Sequence, residues 1–380
     1  MEASYALLSV FALVITVEQE CRLGYKDCDP RLVKSPMKQT VLNIMKASGA
    51  FAPFRFANRS KALIVMYHRF SESEGAGAIS SRMFREQLDY LAAHYNIVPL
   101  SLLAGLLASG KSLPPGLAVI TIDDGYRDAY EIALPILRER RVPATLFVVT
   151  DFIDRKTWIW PDKLRYLISR TEEKILEQKV DGRAFRFELN GRASRMEAAH
   201  RINSALKLML DEAKEETIER IAAALGVELP VAPPHEYGAI SWKQAREMDE
   251  AGIEIGSHTT SHPILTNISE ERLRRELTFS KSRLESMLGR SVDLFCYPNG
   301  DSNATVVREV ERAGYRCAVT TGEGLNDGNS NPLALLRIPT ACHLARFAQS
   351  TSGFEQVKDR IIGFRAGARM ERAQENQIAL

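Results

Sequence analysis

Short, unbroken apolar runs punctuate the chain at intervals. They read ALIVMY (62–67), NIVPL (96–100), LAVITI (117–122), ATLFVVT (144–150), IEIGS (253–257), VDLFCY (292–297), YRCAVT (315–320) and LALLRI (333–338). Runs of this length without polar alternation are the pattern of strands buried on both faces of a parallel sheet. Between them the apolar period changes to three and four. Met83, Phe84, Leu88 and Leu91 mark a helix over 80–95. Ala129, Ile132, Ala133, Ile136 and Leu137 mark one over 126–141, which Pro143 stops. Leu273, Leu277, Leu284 and Leu288 mark one over 269–288, and shorter helices are expected at 101–109, 241–252 and 302–314. Strands alternating with helices predict an α/β fold, and 380 residues accommodate a (β/α) barrel of about seven parallel strands.

Residues 156–236 interrupt this rhythm. They are charge-rich and mainly helical in pattern, as in TEEKILEQ and EAKEETIERIAAAL, and RAFRFELNG alternates like a small hairpin. The segment reads as an insertion capping the barrel mouth, opened by Trp158 and Trp160. These two are expected either to pack in a core or to line a sugar groove. The organisation is therefore an N-terminal segment and lead-in helix (1–58), a barrel (59–345) carrying the insertion, and a C-terminal helix with a polar tail (346–380).

Composition narrows the function. Fifty basic against 48 acidic residues give a net charge of +2, so no global field points to nucleic acid. The five cysteines follow no disulfide spacing and are expected to be reduced. Residues 3–17, ASYALLSVFALVITV, are apolar but shorter than the roughly 20 residues of a membrane span. They suggest association with a membrane face, unless the natural start is Met37. A cytoplasmic location is expected, with a periplasmic enzyme on an uncleaved anchor as the alternative; the oligomeric state is open.

Three polar features sit at the C-terminal ends of expected strands, where parallel barrels carry their chemistry. Asp123, Asp124 and Gly125 follow 117–122. His258 and His262, in SHTTSH, follow 253–257. Tyr297 to Gly300 follow 292–297. Adjacent carboxylates at the mouth of an apolar strand repel each other, although Asp and Gly also suit an ordinary turn. Two imidazoles and one carboxylate form a plausible catalytic metal site, and a second carboxylate beside it can serve as a base.

TIDDG, HTTSH and FCYPNG, in this order, resemble the first three motifs of the polysaccharide deacetylases, carbohydrate esterase family four. MYHRF (66–70) is similar to the opening strand of the bacterial exopolysaccharide-linked type. The resemblance implies a distorted (β/α) barrel and metal-dependent hydrolysis of acetyl groups from N-acetylated sugars of a polysaccharide or oligosaccharide. It assigns Asp123 as general base, and Asp124, His258 and His262 as ligands of a divalent ion, usually zinc. A backbone N–H near Asn299 would face the oxyanion, and Tyr297, Pro298, Asn299 and Arg337 are expected on the substrate side. The third motif carries Cys296 where the family has an Arg that orients the catalytic Asp, and Arg337 is the candidate replacement. The fourth motif has no counterpart in 321–332. The general acid is expected to be His343 or His68. Hydrolysis of a small non-peptide amide, or a degenerate glycan-binding barrel, are the rival readings.

Overall fold

A computed structural model describes residues 36–74, 77–180 and 182–358. The apolar run 3–17, Cys21, Cys28 and the polar tail lie outside them. Seven strands form a closed, all-parallel ring: β1 (Leu63–Tyr67), β2 (Leu117–Ile122), β3 (Ala144–Val148), β4 (Ile253–Ser257), β5 (Leu294–Cys296), β6 (Cys317–Glu323) and β7 (Leu335–Pro339). Each pairs with its successor, and β1 closes the ring by pairing with both β2 (Tyr67 opposite Ile122) and β7 (Val65 opposite Ile338). The fold class is the (β/α) barrel expected from the sequence.

The eighth expected strand shrinks to Asn96–Ile97. It pairs with Leu117 and Ala118 at the lower end of β2, whereas β3 pairs with Thr121 and Ile122 at the upper end. It therefore fills the edge that β3 leaves open and stays outside the ring.

Strand parity sorts the side chains. Ile64, Val119, Phe147, Cys296, Val319 and Leu335 face inward, where Leu100, Leu103 and Leu107 of helix Leu100–Ala108 pack against them. Glu254 seats that helix, accepting bonds from the Leu100 N–H (2.9 Å) and the Thr145 hydroxyl (2.8 Å). Leu63, Val65, Tyr67, Ile120, Ile122, Ile253 and Ile255 face outward into a second apolar layer under the helices. The opening helix Pro36–Ala47 packs against the last one, Leu344–Thr351.

Two helix expectations need correction. Residues 126–141 are not one α-helix: a π-helical turn, Ala129–Ala133, precedes the α-helix Leu134–Arg140. Pro135 has no N–H to continue an α-helical ladder through that turn. TEEKILEQ is not helical either. Ile175–Val180 is a strand, antiparallel to Arg183–Glu188, with Leu176 and Val180 buried and Leu176 opposite Phe187. Its Glu, Lys and Gln favour helix in isolation, but a half-buried surface rewarded the spacing of its apolar residues instead.

The hairpin and helices Trp160–Arg170, Arg192–Leu206 and Asp211–Leu225 enclose a separate apolar cluster that also takes in Ile264 of the barrel. Trp160 belongs to it, with the Lys214 ammonium 4.8 Å from its ring centre. Trp158 stacks on Tyr237. Both tryptophans are buried, so they pack rather than line an open groove. Among the described residues no helix is long and apolar enough to cross a membrane. Cys296 and Cys317 are free, buried thiols, but Cys342 is disulfide-bonded, which corrects the expectation of reduced cysteines throughout.

Candidate active site

The upper ends of β1, β2, β4, β5 and β7 bring together residues scattered over most of the chain. Asp123 continues β2 inward, and its N–H donates to the Tyr67 carbonyl at 2.9 Å. That bond extends the β1–β2 ladder by one rung and sets His68 beside Asp123, with Nε2 3.6 Å from Oδ2. The next two residues, Asp124 (φ 76°) and Gly125 (φ 83°), both turn left-handed. This reversal separates the two carboxylates. A side chain at Gly125 would be strained by that φ, and its Cβ would stand 3.0 Å from Val148 Cγ1.

Asp124 faces the histidines. Its Oδ1 lies 3.4 Å from Nε2 of His258 and 3.4 Å from Nε2 of His262, and all three residues are buried. His258 Nδ1 is 2.7 Å from the Cys296 carbonyl. A carbonyl only accepts, so Nδ1 carries a proton and Nε2 is the ring nitrogen turned to the carboxylate oxygen. Two imidazole nitrogens and a carboxylate oxygen converging in a buried space suit a cation, which takes the lone pair that each neutral ring offers there. The spacing also fits: donors bonded at about 2.0–2.1 Å around a tetrahedral ion stand roughly 3.4 Å apart.

The loop carrying the histidines is held under strain. Thr259 (φ 71°) and His262 (φ 62°) are both left-handed, and non-glycine residues persist there only when their surroundings hold them. Glu276 supplies much of that hold. Its carboxylate accepts from the N–H of Thr260 and of Ser261 (2.9 Å each) and from the Ser261 hydroxyl (2.6 Å). The Thr259 hydroxyl accepts from the His262 N–H at 3.0 Å. Sequence reading missed Glu276. The available signal was an acid on the buried stripe of its helix, beside Leu273 and Leu277.

Asp123 is gripped by Arg337, which reaches in from β7. The guanidinium donates to both carboxylate oxygens at 2.8 Å, to the Thr121 hydroxyl at 3.1 Å and to the Thr320 carbonyl at 2.7 Å. The Cys296 sulfur lies 3.3 Å from Arg337 and 3.5 Å from Asp123. Burial pushes the Asp123 carboxyl up, but the Arg337 charge, helped by His68, holds it below the usual carboxylate range. Burial keeps Cys296 a protonated thiol. Asp124 is likewise buried, and the two imidazoles hold it well below its ordinary value.

Several expected site residues stand elsewhere. Arg337 is fully buried and committed to Asp123, so it is not a substrate contact. Tyr297 follows inward-facing Cys296 and therefore points outward. Its ring lies in the apolar layer beneath the helices and its hydroxyl donates to the Leu333 carbonyl at 2.7 Å, which removes it from the substrate side. Pro298 is buried. Asn299 is partly exposed at φ 58°, and its carbonyl accepts from the Thr321 hydroxyl at 2.9 Å. His343 stands at the N-cap position of helix Leu344–Thr351 without a side-chain capping bond, and its Nε2 is buried without a partner. Among the described residues no hydrogen bond or ion pair joins it to Asp123, whereas His68 lies beside that carboxylate.

Residues 110–318 match the sequence profile of the family described as polysaccharide deacetylase. The Bacillus subtilis (strain 168) protein YxkH is 21% identical over 335 residues, covering 88% of this chain and 90% of its own. The Streptococcus pyogenes deacetylase PplD, solved in complex with acetate, superposes with a TM-score of 0.52 at 20% identity, over 77% of this chain and 99% of its own. IcaB from Ammonifex degensii gives 0.49 at 21% identity, over 76% and 97%.

Proposed function

The chain belongs to the polysaccharide deacetylase family and is a hydrolase of that class, and on this premise we propose that it removes acetyl groups from N-acetylated hexosamine units of a polysaccharide or oligosaccharide with the help of a divalent metal ion. The observation that carries the reading is the convergence of His258 and His262 on one oxygen of Asp124, each at 3.4 Å. These three residues would hold the ion, and two imidazoles with a carboxylate suit zinc. When bound, such an ion supplies Lewis-acid polarisation of the acetyl carbonyl and acidifies water.

The chain's own groups account for the proton transfers. Asp123, kept ionised by Arg337 and fixed in orientation by its two-oxygen grip, takes the proton of the attacking water. His68, beside Asp123 and partly open to solvent, returns a proton to the leaving amine nitrogen. A backbone N–H near Asn299 faces the developing oxyanion. The products are acetate and a free amine on the sugar.

The test is acetate release from defined N-acetylglucosamine oligomers, with metal stripped by a chelator and then restored. Release that falls on stripping and returns with zinc supports the reading. Release indifferent to the chelator, or none from metal-loaded protein, refutes it.

A further inference from the structure

Beside the barrel mouth, a cleft of about 360 Å3 opens between the turn after β2, the loop after β3 and the start of helix Trp242–Glu250. Arg127, Arg155 and Lys243 line it, with Glu247 as the single carboxylate. Glu247 is already engaged, by the Tyr130 hydroxyl and by Lys243 at 3.7 Å.

Three nearby acids are turned to other cations. Asp128 pairs with Arg69, Asp151 with Lys156, and Asp154 with Lys156 and Arg283. No ion pair joins Arg127 or Arg155 to a carboxylate among the described residues. Arg127 is also held in place. Its N–H donates to the Gly238 carbonyl at 2.9 Å, and its guanidinium lies so close to that residue that a Cβ there would stand 3.1 Å from Nη2. Its Nε is buried and has no hydrogen-bond partner.

We propose that this cleft is an anion site that takes a phosphate group. Three cations against one carboxylate leave an excess of two positive charges, which a phosphate dianion matches and a single carboxylate does not. Guanidinium groups suit its oxygens because they donate in pairs. The cleft adjoins the segment that bridges Tyr126 to Ala239, just past Asp124. A phosphate ester carried on the glycan, outside the reacting sugar, can thus reach it while the mouth holds the acetyl group. This assignment to the substrate rests on the deacetylase reading; the anion site itself does not.

Two arms test it. Inorganic phosphate is titrated against the full-length protein, against chloride at matched ionic strength, and against Arg127→Gln and Arg155→Gln. About a tenfold loss of affinity in each variant is expected. Equal affinity in all three proteins overturns the site, because phosphate then binds elsewhere. In the second arm, N-acetylglucosamine oligomers with and without a phosphate ester are compared as substrates. A KM for the phosphorylated oligomer that rises in the Arg variants, with kcat and the neutral oligomer unaffected, assigns the site to substrate. An unchanged KM with phosphate affinity lost assigns it to free phosphate and overturns the glycan assignment. If no oligomer is turned over at all, the deacetylase reading fails, and the first arm still decides the anion site.

Discussion

Arg337 meets Asp123 through both carboxylate oxygens, each at 2.8 Å, across 214 residues of sequence and in a space closed to solvent. The pair is a buried ion pair with further partners on each side, Thr121 and Thr320 on the cation and Cys296 on both. Removing one member of such a pair is costly because it leaves the other charged and desolvated.

Arg337→Met should therefore cost about 3–5 kcal/mol of stability, read by chemical denaturation at neutral pH. The folded pKa of Asp123 is depressed, so the pair's contribution is present above the unfolded carboxylate value, near 4, and is lost as pH falls through the folded one. The variant should also move the acid limb of kcat/KM to higher pH, because the base loses the charge that keeps it ionised. An acid limb in its original place would show that Arg337 does not set the state of Asp123.

Asp123→Asn should lower kcat by about 10²- to 10⁴-fold, the usual contribution of a general base, with metal content unchanged. His258→Ala should lose metal and activity together. Elemental analysis beside acetate release separates the two, and near-normal turnover in Asp123→Asn would remove it from the base's role.

Glu276→Ala should weaken metal binding by about 10- to 100-fold without touching a ligand, since it frees the loop that holds His262 at a left-handed φ. Competition with a graded chelator measures this. Ser261→Ala, which removes only one of the carboxylate's bonds, should give a smaller loss.

In the insertion, Asp211 pairs with buried Lys214 and with Arg272. Burial alone would raise its carboxyl, but those two cations hold it below the ordinary value. A depressed folded pKa stabilises above the unfolded value and ceases to do so as pH falls below about 4. Asp211→Asn should be less stable than wild type by about 3 kcal/mol at neutral pH, and melting curves of the two should converge as pH drops from 5 to 3. A gap independent of pH would mean the contribution is packing rather than charge.

His68→Ala and His343→Ala should differ sharply. Loss of His68 should depress kcat and remove the basic limb of the pH profile, whereas loss of His343 should leave the profile's shape alone and act on stability. The opposite result would return the general acid to His343.

Local sequence was informative wherever a short-range rule governs. Apolar runs marked the seven ring strands, and paired acids, paired histidines and a glycine at strand ends marked the site, because strand length, turn chemistry and the position of loops in a parallel barrel all follow from neighbouring residues. Strand parity would also have placed Tyr297: it follows Cys296, and one of two consecutive strand residues must face out. Ile175–Val180 misled because its composition and its spacing disagree, and only the surface it packs on decides between them.

The order of TIDDG and HTTSH, and the chemistry their residue types permit, were therefore determined by the sequence alone. What only the tertiary structure decided was which groups meet: Arg337 rather than another cation on Asp123, His68 rather than His343 beside it, and Glu276 under the histidine loop. The two contacts on Asp123 depend on ring closure and strand register, which seat β1 between β2 and β7. Register is a property of paired strands, and a linear pattern does not record which cation, of many, the closing sheet carries inward.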